Sequence, residues 1–384
     1  MNEGTMTVYL VANFDLDRQE SMARFTQMLE ADLPSLGVNF VTIKPKPRFA
    51  RLTPKYKYSG LPKWLGYMDK YLIFPMSLRK IDRRANEKSL FHITDHSNSP
   101  YSKSISRRPC LVTCHDLLAV RGAMGEDTDC PATRSGKVLQ ARILSGLNHT
   151  DHVACVSKFT HGDLLRLGEN GIEQRSSVVL NGINHPYRQL DQATIENQLK
   201  SLDQPSLLEK PFVLHVGSNL ARKNKRGILQ SFALASKDWS GNLVYCGPEI
   251  PESLQKEAQE LGLADRVINL VKPSNEQLEA LYNAAHAFLF LSTSEGFGWP
   301  VIEAQICGCP VVTSNRTSLP EVAGNGALVH DPKDYEAIAA SILKLSDPNF
   351  REDIVRKGIS NAEKFGAERM VAEYVSLYEA MLQK

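Results

Sequence analysis

The sequence predicts an α/β chain built as two open parallel sheets, each covered by helices. Three observations carry this. Short apolar runs recur along the 384 residues, and they are continuous instead of alternating, as strands buried on both faces require. Segments with three- and four-residue apolar spacing separate the runs, so strand and helix alternate in the order that makes parallel sheets. A polar stretch over 190–210, read as holding the domain linker, divides the runs into two series, and the chain is long enough for two domains with a core each.

The first series is 8–13, 38–43, 90–94, 109–114, 151–156 and 177–180. Between the first two runs, 19–33 reads as a helix with Met22, Phe25, Met28, Leu29 and Leu33 on one face. Strand followed by helix opens a Rossmann-like unit, yet the connection Phe14-Asp15-Leu16-Asp17-Arg18 holds no glycine. That argues against a dinucleotide site here, which needs G-x-G-x-x-G for its tight turn. Ser157 reads as an N-cap for a helix holding Phe159 and Leu164, and Asn181-Gly182 as a turn, with the first half closing near Asn184. The second series is 212–216, 242–246, 266–270, 287–291, 310–313 and 326–329. Within it Ser274 and Gln277 form a capping box ahead of Leu278, Leu281 and Tyr282. The tail, 350–384, has helical spacing throughout. The predicted domains are 1–200, 201–360 and a terminal helical segment 361–384, with ligands at the carboxyl ends of the strands.

Composition excludes several classes. The charges nearly balance, 45 basic against 43 acidic. No apolar run reaches the ~20 residues that span a bilayer. The start, MNEGTMTVYLVANF, has no basic flank and reads as a strand instead of a secretion signal. The seven cysteines show no CxxC pair, so Cys110, Cys114, Cys307 and Cys309 read as buried structural thiols in a reducing, cytoplasmic setting. His92, Asp95 and His96 resemble a metal cluster, but no second group of ligands accompanies them, and no metal is assigned. Charge is concentrated in 44–88, with thirteen basic residues against three acidic and Phe49, Tyr56, Tyr58, Trp64, Tyr67 and Tyr71 interleaved. Such a surface suits an anionic membrane, a phosphorylated acceptor or nucleic acid; the alternative is a solvated basic loop and helix. No nucleic-acid motif accompanies it, so no nucleic-acid partner is assigned.

The stretch 289–315 holds the most chemistry. A buried run breaks at Ser292-Thr293-Ser294 and passes through Glu295-Gly296-Phe297-Gly298 into a helix that Pro300 can open. Gly296 and Gly298 allow close backbone approach, and a helix start behind them directs N–H groups at a phosphate. Glu295 and Glu303 frame the place and suit sugar hydroxyls. After the run 212–216 comes Gly217-Ser218-Asn219-Leu220-Ala221-Arg222-Lys223-Asn224-Lys225, where fixed cations can hold a diphosphate leaving group. Thr113-Cys114-His115-Asp116 follows another buried run and so lies at a sheet rim.

The pattern E-G-F-G-x-P-x-x-E-A followed by G-x-P-V-V-x-S resembles the donor-site signature of the family-four retaining glycosyltransferases with the GT-B fold; Trp299 stands where Leu is usual. The loop after Gly217 is similar to that family's G-x-x-x-x-R-K-N, although Ser218 replaces a frequent arginine. Thr113 to Asp116 is similar to its V-T-x-H-D pattern. Ser157 to Thr160 and Asn181 to Asn184 resemble two further family segments, or are simply a cap and a turn. The resemblance implies two Rossmann-like domains facing across a cleft, with the last helix crossing back to the amino-terminal domain. It implies transfer of a hexosyl group, with retention, from a UDP- or GDP-linked sugar to an acceptor, without a metal. Glu303 would bind ribose, Glu295 with the backbone of Gly296, Phe297 and Gly298 the sugar, Arg222 and Lys223 with Gly217 and Ser218 the diphosphate, and His115 the transferred sugar. Many relatives carry a glycine-rich loop after the first strand; here Gln19, Glu20 and Ser21 stand in that position, and the resemblance assigns no acceptor-side residue. A nucleotide-sugar epimerase and a non-catalytic sugar-nucleotide binding protein are the rival readings.

Overall fold

The computed structural model describes residues 6–52 and 60–383; Tyr56 and Tyr58 of the basic segment lie outside them. Two compact units emerge, one of Met1–Asn184 with Ala367–Lys384, the other of His185–Gly366. The first holds β1 (Thr7–Val11), β2 (Asn39–Ile43), β3 (Ser89–Ile93), β4 (Cys110–Cys114), β5 (His152–Cys155) and β6 (Ser176–Val178). The second holds β7 (Phe212–Val216), β8 (Asn242–Gly247), β9 (Val267–Val271), β10 (Ala287–Phe290), β11 (Val311–Ser314) and β12 (Ala327–His330). Each run read from the sequence therefore becomes a strand, within a residue or two at its ends.

Both sheets are parallel, ordered β2-β1-β3-β4-β5-β6 and β12-β11-β10-β7-β8-β9. Central strands such as β3 and β4 are buried at every residue, while the edge strands β2 and β6 are partly exposed. This matches the continuous apolar runs, since helices cover both faces of the middle of a doubly wound sheet. The strand order reverses between β1 and β3 in one sheet and between β7 and β10 in the other. At such reversals the following loops part and leave room for a ligand at the carboxyl ends of the strands.

One expectation needs correction. The polar stretch 190–210, read as a linker, is mostly helical and belongs to the second unit. Asp191 caps the helix Gln192–Lys200 by accepting from Thr194 N at 2.9 Å, and Leu199 and Leu207 are buried. Asn283 Oδ1 accepts from Leu190 N at 2.9 Å, tying the stretch to the helix Asn275–Ala284. Helices with one narrow apolar edge look like linkers by composition, because most of their residues face water.

The last helix, Ala367–Leu382, completes the first unit. Its Tyr378 hydroxyl lies 2.7 Å from His92 Nδ1, and its Tyr374 hydroxyl 2.9 Å from Thr113 Oγ1. His92 Nε2 and Thr113 Oγ1 are 2.7 Å apart, which closes the network. Gly182 permits the approach: a Cβ there would stand 2.6 Å from the Ala367 Cα.

Residues 60–84 run as one helical stretch, Gly60–Met68, a π turn Asp69–Ile73, and Phe74–Arg84. Pro75 supplies no N–H to the preceding turn, and a π turn just ahead of it absorbs the mismatch. The Asp69 carboxylate is buried and accepts from the backbone N–H groups of Arg48, Phe49 and Ala50 at 2.9–3.0 Å. Among the described residues no helix is long and apolar enough to cross a membrane. The cysteines are free and, apart from half-buried Cys130, buried.

Candidate functional site

In the second unit the loops after β7 and β10, the two strands at the reversal of order, are laced together. Thr293 N donates to the Arg222 carbonyl at 2.8 Å, and Arg222 Nη1 donates to the Ser294 carbonyl at 3.1 Å. Glu295 then takes both cations of the β7 loop, Lys223 Nζ at 2.6 Å on one oxygen and Arg222 Nη1 at 3.0 Å on the other. These side chains are only 10–21% exposed, so the attractions are less screened than those of surface pairs. Lys223 also stands 4.9 Å from the Phe290 ring centroid. The group carries a net charge of +1, two cations against one carboxylate.

The backbone around it is held by contacts that spacing alone does not disclose. Thr317 Oγ1 accepts from Glu295 N at 3.0 Å, and Ser318 Oγ donates to the carbonyls of Glu295 and Phe297 at 2.9 and 2.8 Å. Gly298 has φ +109°, and a Cβ there would meet Leu319 Cδ2 at 2.6 Å. It leads into the helix Trp299–Ile306, with Pro300 in its first turn. Glu303, in that helix, is buried and accepts from the Tyr282 hydroxyl at 3.1 Å. Burial, then the neighbouring Glu303 carboxylate, raises the Tyr282 hydroxyl well above its ordinary range.

Under Gly217 lies His215, wholly buried, with Nδ1–H donating to the Leu289 carbonyl at 3.0 Å. Its Nε2 would be 3.0 Å from a Cβ at Gly217. Burial above all holds this imidazole at about 3, well below its usual pKa, so it is neutral. Gly247, at the end of β8, adopts φ +145°, and a Cβ there would lie 2.3 Å from the Gly217 carbonyl oxygen. Two glycines back to back let the β7 and β8 ends close together. Lys225 is also buried, with Nζ donating to Asn219 Oδ1 at 2.7 Å.

Of the residues assigned from sequence to the donor, the structure thus brings Gly217, Arg222, Lys223 and Glu295 together. Glu303 sits buried in the helix that follows, and Ser218 and Gly296 are half-buried in the flanking loops. The Phe297 side chain is 4% exposed and packs on Trp299 and Phe365, which leaves its backbone for the role expected of it. Sequence reasoning passed over Lys225, Gly247, Tyr282, Thr317 and Ser318. Lys225 stood in the same basic run; the others carry no local signal, because their partners are distant in the chain.

In the first unit, at the β1–β3 reversal, His115 follows β4 and its Nε2–H donates to the Thr94 carbonyl at 2.9 Å. Its ring meets Phe25 edge-on with centroids 4.8 Å apart. Burial lowers its pKa, and Asp95 opposes that shift. Asp95 is buried too, which raises its carboxyl; His96 and His115 together with hydrogen bonds from Ser97 and Asn13 outweigh this and hold it below the usual range. Asp116 caps the turn after His115 by accepting from Leu118 N at 3.0 Å. The three residues that looked like a metal cluster are engaged differently: His92 uses both ring nitrogens on Tyr378 and Thr113, as above, Asp95 holds Ser97 and Asn13, and His96 Nδ1 accepts from His115 N at 3.3 Å. Beside β1 is a cavity of about 220 Å³ lined by Asn13, Asp15, Arg18, Gln19, Glu20 and Lys44. There Arg18 adopts the left-handed φ of 51° that a glycine would otherwise take.

Residues 198–361 match the family model described as glycosyl transferases group 1. The O-antigen chain mannosyltransferase B of Escherichia coli is 36% identical over 193 residues, 48% of this chain and 49% of that protein. The chain spans about half the length of the curated relatives it matches. Sucrose-phosphate synthase from Thermosynechococcus elongatus superposes with a TM-score of 0.75 at 19% identity, over 98% of this chain and 99% of that one. An Anabaena protein solved in complex with UDP-glucose superposes with a TM-score of 0.66 at 16% identity, over 97% and 99%. These neighbours establish the fold, the two-sheet α/β architecture of the GT-B glycosyltransferases. Residues 198–361 thus carry the likeness to the glycosyl transferases group 1, within a chain that has the GT-B fold.

Proposed function

We propose that this chain transfers a glycosyl group from a nucleotide diphosphate sugar to an acceptor in polysaccharide assembly. The observation that carries the reading is the joint hold of Glu295 on Arg222 and Lys223 at the strand-order reversal of the second sheet. A cation pair already aligned by a carboxylate is prepared for a diphosphate, whose negative charge grows as the bond to the sugar breaks. As phosphate oxygens take over the cations, the Glu295 carboxylate turns to hydroxyls of the sugar. Glu303, buried and held by Tyr282, accepts from the ribose hydroxyls. The neutral imidazole of His115 serves the transferred sugar, and the cavity beside β1 belongs to the acceptor side. The mannosyltransferase relative supports a glycosyl acceptor in polysaccharide synthesis, and the neighbour holding UDP-glucose supports a nucleotide sugar. Retention of configuration rests on the family resemblance, with the leaving phosphate assisting attack on the same face. No metal is given a role.

The test is a thermal-shift panel of UDP-, GDP- and ADP-linked sugars. Selective stabilisation by one of them is expected, about 2.7 kcal/mol at a hundredfold excess over Kd. Glu303→Ala is expected to weaken that binding by roughly ten- to a hundredfold, the loss of hydrogen bonds to a charged acceptor. A panel in which no sugar nucleotide shifts the protein would remove the donor placement.

A further inference from the structure

We infer that the helical stretch 60–84 of the first unit is a membrane-docking surface for bilayers carrying anionic phospholipid. Its exposed side is an apolar stripe, Leu61, Trp64, Met68, Leu72 and Met76, recurring three or four residues apart and between 38% exposed at Met68 and 66% at Leu61. Among the described residues, no other helix exposes more than one large apolar side chain. A contiguous stripe of this kind marks an interaction surface, whereas scattered single residues do not.

The opposite side is firmly anchored, so the stripe has not simply been left facing outward by a loose helix. Asp69 is held by three backbone N–H groups, as described. Asp82 Oδ2 accepts from Ser106 N and Arg107 N at 3.0 and 3.1 Å. Lys70 Nζ pairs with Asp17 at 2.6 Å, and Tyr67, Tyr71 and Tyr101 form an aromatic ladder inward.

Charge selects the occupant. The stripe is continued along the helix by Arg79, Lys80, Arg83 and Arg84, all exposed. The only acidic side chains of the stretch, Asp69 and Asp82, are buried. Inserted leucine, tryptophan and methionine with arginines and lysines reaching the headgroups is the chemistry of an interfacial helix on an anionic leaflet. A second copy of the chain is disfavoured by the same charges, because a two-fold contact would set this basic face against itself.

The experiment is co-sedimentation of the full chain with phosphatidylserine–phosphatidylcholine vesicles and with phosphatidylcholine vesicles alone. The expected result is association with the anionic vesicles that weakens as salt rises, accompanied by a blue shift in tryptophan emission that Trp64→Gln removes. Leu61→Gln/Trp64→Gln/Leu72→Gln is expected to lower partitioning at least ~10-fold. Arg79→Gln/Lys80→Gln/Arg83→Gln is expected to lower it on the order of a hundredfold on anionic vesicles only. All six positions are solvent-facing, and unchanged circular dichroism and melting would show that the variants fold. Absence of association with anionic vesicles overturns the inference, as does association that neither variant set reduces. A dimer in sedimentation equilibrium that Trp64→Gln dissolves, without vesicle binding, would assign the stripe to self-association instead.

Discussion

The two sheets end in opposite electrostatic styles. At the reversal point of the second, Glu295 binds two full cations, and His215 beneath Gly217 is buried and neutral. At the reversal point of the first, histidines, threonines and tyrosines of β3, β4 and the last helix share short hydrogen bonds, with Asp95 the buried charge. The same topology therefore offers two kinds of crevice, and the difference teaches that the strand order supplies the position while the loop residues supply the chemistry. The charged end suits a ligand that arrives and leaves with negative charge. The hydrogen-bonded end suits uncharged groups and holds the unit together.

The sharpest way to break this contrast is Lys223→Ala. Steady-state assays should show kcat lowered by about 10²–10³-fold, about 3–4 kcal/mol, with donor affinity reduced far less. Equal losses in affinity and turnover would mean that the cation serves ground-state binding only. Next in size is Gly247→Ala, which forces a side chain onto the Gly217 carbonyl at a left-handed φ. Urea unfolding should report a loss of about 3 kcal/mol, because neither backbone can move without parting β7 from β8.

A third effect touches both units equally. Burial holds His92 and His215 each at about 3, whereas the unfolded chain protonates histidine near pH 6.5. Because the folded value is depressed, the stability these groups contribute is complete above the unfolded value. It is lost as pH falls from there towards the folded one. At about pH 5 each should cost about 2 kcal/mol, measurable as a falling urea midpoint. A pH-independent midpoint would contradict the neutral, enclosed imidazoles. The smallest effect is Tyr378→Phe, which deletes the hydroxyl on His92 and should cost the first unit about 1 kcal/mol. Hydrogen exchange should show the change in the last helix and β3, with the second unit untouched.

Much of this architecture was legible in the chain. The buried strands announced themselves because apolar runs covered on both faces carry their own signature. Ser274 with Gln277 does form the capping box, since capping is a local matter settled within four residues. The stretch 190–210 misled because a surface helix with one thin apolar edge has the composition of a linker. Within the site, Gly217, Arg222, Lys223, Glu295 and Glu303 could be picked out by type and spacing. Sequence assigned the carboxylate of Glu295 and the two cations to separate parts of the donor, however. Their mutual pairing depends on how closely the loops after β7 and β10 approach, which no single stretch records. The packing of the Phe297 ring on Phe365, far along the chain, is likewise recorded by no single stretch.

The return of Ala367–Lys384 to the first unit has a consequence for how the protein is made. During synthesis, β1 to β6 leave the ribosome long before the helix that covers His92 and Thr113. At ordinary rates of elongation the intervening second unit takes roughly ten to forty seconds to emerge. For that interval the nascent first unit presents an unfinished polar seam, so its final consolidation is a late event that waits for this helix to emerge.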